Sequence, residues 1–388
     1  MLCLCAAVAL PALSDSGSSY KKNMFNPVRT SVTSLSIAPD ARAGAMGDVG
    51  VATEADANSQ YWNPAKYPFN IARAGVSVSY TPWLRKLVND INLANMAGFY
   101  RIGDYSAVSA SLRFFSLGEV FLSDMDDMNI NPYEFAVDAG YSRMLSERFS
   151  MAVNMRFIFS DIRYDYTAES KAGKAFAADI ALYRLGYFMM GNRECSFGWG
   201  LNINNIGSKI AYGGDDNAEF IPTNLRLGMN MTVPFNEYNK FSVAVDANKL
   251  LVPTFPKQDT ENGETESDYT DRVQKEYYDV SPIAGIFKSF HDAPNGFKEE
   301  MQEIQWSVGC EYTYNDRFML RGGYHHEAAN KGNRKYFTVG AGFHMSVFTV
   351  DAAYVFSTSQ TNPLDQTMRF TLGFDLDGMK DLFGRRRR

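Results

Sequence analysis

The sequence predicts an all-β fold: a transmembrane barrel of about fourteen antiparallel strands, its lumen plugged by an N-terminal hatch. Three observations carry this. From Ala72 to Leu376 apolar and polar residues alternate with period two, and one of the two faces is apolar throughout. The connections between the alternating runs are short and long in strict rotation. Ahead of the first run lies a stretch, residues 39–65, that sorts into neither strands nor a buried helix.

The alternation is regular enough to assign faces. Val76, Val78 and Tyr80 share a side, as do Val108, Leu112 and Phe114, Met151, Val153, Met155 and Phe157, Leu225, Leu227 and Met229, and Met368, Phe370 and Leu372. The opposite side carries Arg113, Arg156, Arg226, Asp246, Glu311, Arg321, Asp351 and Arg369, which suit a wet or plugged lumen. A soluble sandwich has the same period, so the connections decide. Short ones fall at 101–105, 145–148, 190–193, 235–238, 314–317 and 344–346. Long ones fall at 82–91, 117–131, 164–174, 207–221, 254–302, 326–334 and 357–366. An up-and-down barrel with both termini at the short-turn end produces that rotation; a sandwich has no reason to. The run 176–190 is the least regular, because Arg184 falls on the apolar parity, and a bulge is expected there.

Composition agrees. The 388 residues hold 28 Phe, 22 Tyr and 4 Trp, and rings gather at the two membrane interfaces of a barrel. Mean hydropathy is −0.27, and no run reaches the 18 or so apolar residues of a spanning helix. Barrel strands need apolar residues only at every second position, so hydropathy does not register them. The net charge of −6, with no basic face, argues against nucleic acid. Residues 1–14 read as the remnant of an export signal, apolar and closed by Ala12-Leu13-Ser14. The expected organisation is then 15–71 for the N-terminal segment and hatch, 72–376 for the barrel with its long loops, and 377–388 for a basic tail. Cys195 and Cys310 stand too far apart in strand order for a disulfide.

In residues 39–65 glycines and small residues precede an acidic, polar run and then Tyr61-Trp62-Asn63-Pro64. Too few large apolar groups are present to offset the segment's own ordering entropy, so it must be enclosed. Asp40, Arg42, Gly44, Gly47, Asp48, Trp62, Asn63 and Pro64 are the candidate hatch residues. Two long loops carry helix-spaced apolar stripes, Trp83, Leu84 and Leu87 in one, Ile283, Ile286, Phe287 and Phe290 in the other. On outward loops such stripes cover a partner, a ligand or the barrel mouth. Enzyme readings fail on spacing. His325 and His326 are strand neighbours and point to opposite faces. Asp124, Asp126 and Asp127 are followed by Met128, Asn129 and Phe135 where a calcium loop needs ligands and a glycine. No nucleophile–base pattern or phosphate loop appears, so neither catalysis, cofactor nor metal is expected.

The barrel plan resembles the FadL family of outer-membrane proteins, and the segments Asp40–Thr53 and Tyr61–Ala65 resemble the PorV (LptO) family of the type IX secretion system. That resemblance implies a non-enzymatic outer-membrane protein with its N- and C-termini in the periplasm. It implies binding of the C-terminal domain of secreted cargo at the large translocon barrel. Cargo then passes to a PorU-like sortase, which removes that domain and attaches lipopolysaccharide, anchoring the cargo at the cell surface. The parent family implies an alternative, a transporter of hydrophobic small molecules. Besides these partners only outer-membrane lipid is expected. The tail 377–388 departs from barrels that end on an aromatic, and its Arg385–Arg388 run is expected to be solvated.

Overall fold

A computed structural model describes residues 25–83, 90–122, 128–162, 171–213, 218–258, 263–345, 347–357 and 365–376. The strands are β1 (Ala74–Pro82), β2 (Asn92–Ile102), β3 (Ser106–Ser116), β4 (Val120–Leu122), β5 (Met128–Ile130), β6 (Tyr133–Ser146), β7 (Phe149–Asp161) and β8 (Gly173–Met190). They continue with β9 (Arg193–Gly207), β10 (Asn224–Pro234), β11 (Asn239–Leu250), β12 (Gln305–Tyr314), β13 (Phe318–His326), β14 (Lys335–Met345), β15 (Phe348–Ser357) and β16 (Met368–Asp375). Fourteen of them form one closed antiparallel barrel, sealed where β1 meets β16 with Val78 opposite Leu372. Among the described residues β4 and β5 pair with each other alone, in the long connection between β3 and β6.

Both faces fall as the alternation predicts. Met155 is 71% exposed, and Val78, Leu112, Leu227, Met229 and Phe370 also point outward. Arg113, Arg156, Arg226, Asp246, Glu311, Arg321, Asp351 and Arg369 are all buried inside. Only lipid can cover so long an apolar exterior. An arginine at Met155, on the lipid face, is therefore expected to cost about 2–4 kcal/mol if it sits near the bilayer midplane. The measurement is the folded fraction of Met155→Arg in urea titrations of bilayer-inserted protein, and a neutral result would reverse the faces.

The irregularity expected at 176–190 lies on the neighbouring strand. Ala178 opposes Ile206 and Ile180 opposes Ile203, so the extra residue belongs to β9, where Asn205 has φ 58°. The parity of β8 is unbroken. Arg184 stays on the outward face opposite Trp199, close to the short-turn end, where a long cationic side chain can reach the interface.

The N-terminal segment runs the length of the lumen. At the long-loop mouth Asn26 donates its backbone N–H to the Asn330 carbonyl at 2.7 Å, and Ser31 donates to Phe220 at 2.9 Å. The chain then descends through a 3-10 turn (Thr33–Ser36), α1 (Ala41–Gly44), α2 (Ser59–Trp62) and a second 3-10 turn (Pro64–Phe69). It leaves at the short-turn mouth, where Arg101 donates to the Asn70 carbonyl at 2.6 Å. Phe25 and Leu376, the outermost described residues, therefore lie at opposite ends. The expected placement of the N-terminus at the short-turn end falls on residues 1–24, outside the described residues. The segment is long enough to cross the lumen, and Val28 packs with Phe220, Val252 and Tyr277 on the far side.

Candidate functional site: the filled lumen and the loop face

The lumenal segment is fixed by buried charges and backbone caps. Asp40 caps α1, accepting from the Ala43 N–H at 2.9 Å and from the Trp62 indole N–H at 2.6 Å. Arg42 bridges Asp56 at 3.0 Å and Glu311 of β12 at 3.1 Å, and Glu311 is shared with Arg321, which also holds Asp351 at 2.6 Å. Asp48 pairs with Arg369 of β16 and accepts from the Tyr336 hydroxyl at 2.5 Å. Gly44 lies directly against Arg369. Gly47 has φ +74° and backs onto the main chain of Tyr324, so it is the position where a side chain is least tolerable.

The second half of the segment is held the same way. Asn63 caps the turn that Pro64 opens, accepting from the Ala65 N–H at 3.0 Å, and donates to the Leu182 carbonyl at 2.9 Å. Trp62 and Tyr61 lie beneath the Arg226 guanidinium, at 5.2 and 4.3 Å. The Gly50 and Val51 N–H groups both donate to Asp246, at 2.8 and 3.0 Å. Lys66, which the sequence did not single out, is fully enclosed and donates to the Gly50 carbonyl at 2.7 Å. Asp40 and Trp62 bond to each other, Arg42, Gly44, Gly47, Asp48 and Asn63 each touch a barrel strand, and Pro64 is buried.

At the short-turn mouth a cavity of about 420 Å³ opens between this segment and β12–β16, lined by Arg42, Asp56, Glu311 and Asp351 among others. Beside Arg113 and Arg156, deeper in, the free space is only about 10 Å³.

The two loop stripes behave differently. Leu84 and Leu87 lie outside the described residues, as do Asp124, Asp126 and Asp127. Trp83 is half-buried. Its N–H donates to the Ile91 carbonyl at 2.9 Å, a strand-like closure, and its ring packs inward on Ile37, Leu93 and Phe115 and on Tyr336 and Val355. The other stripe does form a helix, α4 (Pro282–Lys288), which follows α3 (Glu266–Val273) in the same connection and is capped by Ser281. Its buried side is Gly285, against Phe220 and Pro253. Phe287 is 68% exposed; Ile283 and Phe290 are exposed too, and Ile286 is half-buried.

α5 (Phe297–Gln302), in the same connection, also exposes apolar side chains. Phe297 is 79% exposed and Met301 is exposed, while Glu299 and Glu300 turn inward. Lys331 donates to Glu299 at 2.6 Å and Glu303 at 2.9 Å, and Lys249 holds Glu300 at 3.0 Å and also Glu303. Burial works to raise the Glu299 pKa, but Lys331 and Asn26 bring it below the usual range. The loop is therefore a packed cap whose apolar side chains are presented outward. The i, i+4 spacing of Phe297 and Met301 around two glutamates was the sequence signal for α5, and it is short enough to miss.

The tempting metal ligands are otherwise occupied. His325 shares a hydrogen bond with Ser307 at 2.9 Å and stacks on Tyr336, and Glu327 is held by Arg334 at 2.7 Å. Among the described residues no three His, Cys, Asp or Glu side chains converge as metal ligands, and Cys195 and Cys310 are free thiols.

The closed fourteen-stranded barrel is that of FadL-like outer-membrane proteins. It is similar to a deltaS2S3 mutant of the monoaromatic hydrocarbon channel TodX, with TM-score 0.51 and 11% identity over 86% of this chain and 98% of that one. The toluene transporter TodX of Pseudomonas putida gives 0.49 and 10% over 86% and 96%. At such identity the likeness concerns the fold alone. No curated protein matches by sequence. Residues 20–257 match the family model of the type IX secretion system protein PorV, more than half of the chain. The chain belongs to the PorV family, and so to the outer-membrane components of that secretion system.

Proposed function

We propose that this barrel is a non-enzymatic docking component whose loop face binds the C-terminal domain of secreted cargo at the large translocon barrel. The cargo then passes to a PorU-like sortase for attachment at the cell surface. In this reading the long loops face outward, and the short turns and Leu376 face the periplasm. The observation that carries it is the exposure of Ile283, Phe287, Phe290, Phe297 and Met301 on a cap tied down by buried ion pairs, above a filled lumen. Exposed aromatic side chains on a fixed support are what a protein interface uses as anchors.

Phe287→Ser with Phe290→Ser is expected to reduce co-purification of a cargo C-terminal domain at least tenfold, as loss of anchors worth about 1–2 kcal/mol each implies. Barrel assembly, read from heat-modifiable gel mobility, should be unchanged, since both side chains lie off the strand ladder. Undiminished cargo recovery would remove the proposal. The alternative, transport of hydrophobic small molecules, requires a path where residues 37–67 now lie. It predicts instead that the same variant loses uptake of an apolar compound.

A further inference from the structure

The β8–β9 hairpin at the short-turn end carries an open sheet edge that the barrel does not use. β7 begins at Phe149, opposite Arg184, and the last backbone bond between them is from the Leu185 N–H to the Arg148 carbonyl at 3.0 Å. β8 nevertheless continues to Met190, paired on its other side with β9 as far as Met190 opposite Arg193. Five residues, Gly186 to Met190, about 16 Å of strand, therefore project with one edge unpaired. Other short turns close at once. After the equivalent bonds from Asn315 to Tyr238 and from His344 to Arg317, the chain reverses within two or three residues.

Both faces of the projection are apolar. Phe188 and Met190 continue the outward parity of the strand, where lipid can cover them. Tyr187 and Met189 continue the inward parity of Ala181 and Tyr183, which are buried, yet Met189 is 64% exposed and Tyr187 is also exposed. On this face Phe69 of the lumenal segment packs on Tyr183, ring centroids 5.3 Å apart, and Leu185 borders the same cluster, whereas Tyr187 and Met189 lie beyond it and are exposed. Lipid does not reach an inward face. By the two-residue repeat, the N–H and C=O groups of Tyr187 and Met189 point to the same side as those of Leu185, the open edge.

We propose that this edge accepts an extended segment of a water-soluble protein on the short-turn side of the membrane. The segment adds to β8 as a further strand, with apolar side chains at alternate positions packing on Tyr187 and Met189. A free edge with unsatisfied main-chain groups selects a strand as its occupant, and the apolar inward face selects the side chains. A second copy of this chain is the wrong occupant. Related by an axis along the membrane normal, its β8 would run parallel and would leave the inward face of each hairpin uncovered.

The test places a benzophenone photo-crosslinking residue at Tyr187 in the full chain in its native membrane, and the crosslinked peptide is sequenced by mass spectrometry. One extended segment of one soluble protein is expected. Met189→Pro removes a single edge N–H, leaves the β8–β9 ladder intact, and should lower the crosslink at least tenfold. Met189→Ala keeps that N–H and should retain most of it. Heat-modifiable mobility confirms that each variant barrel is folded. Crosslinks to lipid alone, crosslinks to a second copy, or a proline variant as efficient as the alanine one would each overturn the proposal.

Discussion

A chain lacking residues 40–64 is expected to form an ion-conducting barrel where the intact protein is closed. The deleted stretch contains α1, α2, and the partners of Glu311, Asp246, Arg226 and Arg369. Without it those side chains line an aqueous passage, because strands this numerous enclose more space than their own side chains fill. Conductance in planar bilayers should rise at least tenfold. Barrel assembly should persist, since strand pairing involves none of the deleted residues. An assembled but still closed deletion variant would mean that the long-loop cap makes the seal.

The second large effect is expected at Arg369. Arg369→Ala takes the ion-pair partner from the Asp48 carboxylate inside the barrel and leaves it the Tyr336 hydroxyl, with His325 and Arg334 lining the same small cavity. Removing one member of a buried pair costs about 3–5 kcal/mol, far more than an exposed pair contributes. Urea unfolding of the bilayer-inserted protein should show that loss. Adding Asp48→Asn should recover much of it, because the orphaned charge is gone. Equal losses in the single and double variants would show that Arg369 acts through its packing on Gly44 instead.

Much of this fold was legible because a membrane barrel imposes simple constraints on sequence. Lipid on one side and charge on the other force period two, and hairpins between long loops force the rotation of connections. The enclosed stretch was legible by default, as small and polar residues that could not stand alone. Its pairings were not. Arg42 meets Glu311 across 269 residues and Asp48 meets Arg369 across 321, and no local pattern encodes such contacts. Trp83 misled for a physical reason. Apolar residues spaced through a loop fit a helical stripe, yet Trp83 and Ile91 meet as the base of a strand pair and turn inward. Lys66 gave no signal at all, since a lysine in a polar stretch reads as solvated.

The course of residues 26–72 from one mouth to the other bears on how the molecule is built. A closed ring of hydrogen bonds cannot later admit a chain through its wall. The seam between β1 and β16 must therefore shut around a thread already in position, or the thread must be drawn through the finished ring. Asp48 and Arg369 sit on opposite sides of that choice, one on the thread and one on β16, which closes the wall against β1. Their meeting ties completion of the wall to correct seating of what it encloses. A barrel mis-registered at its seam would leave a charge stranded in the interior, a built-in check on the order of assembly.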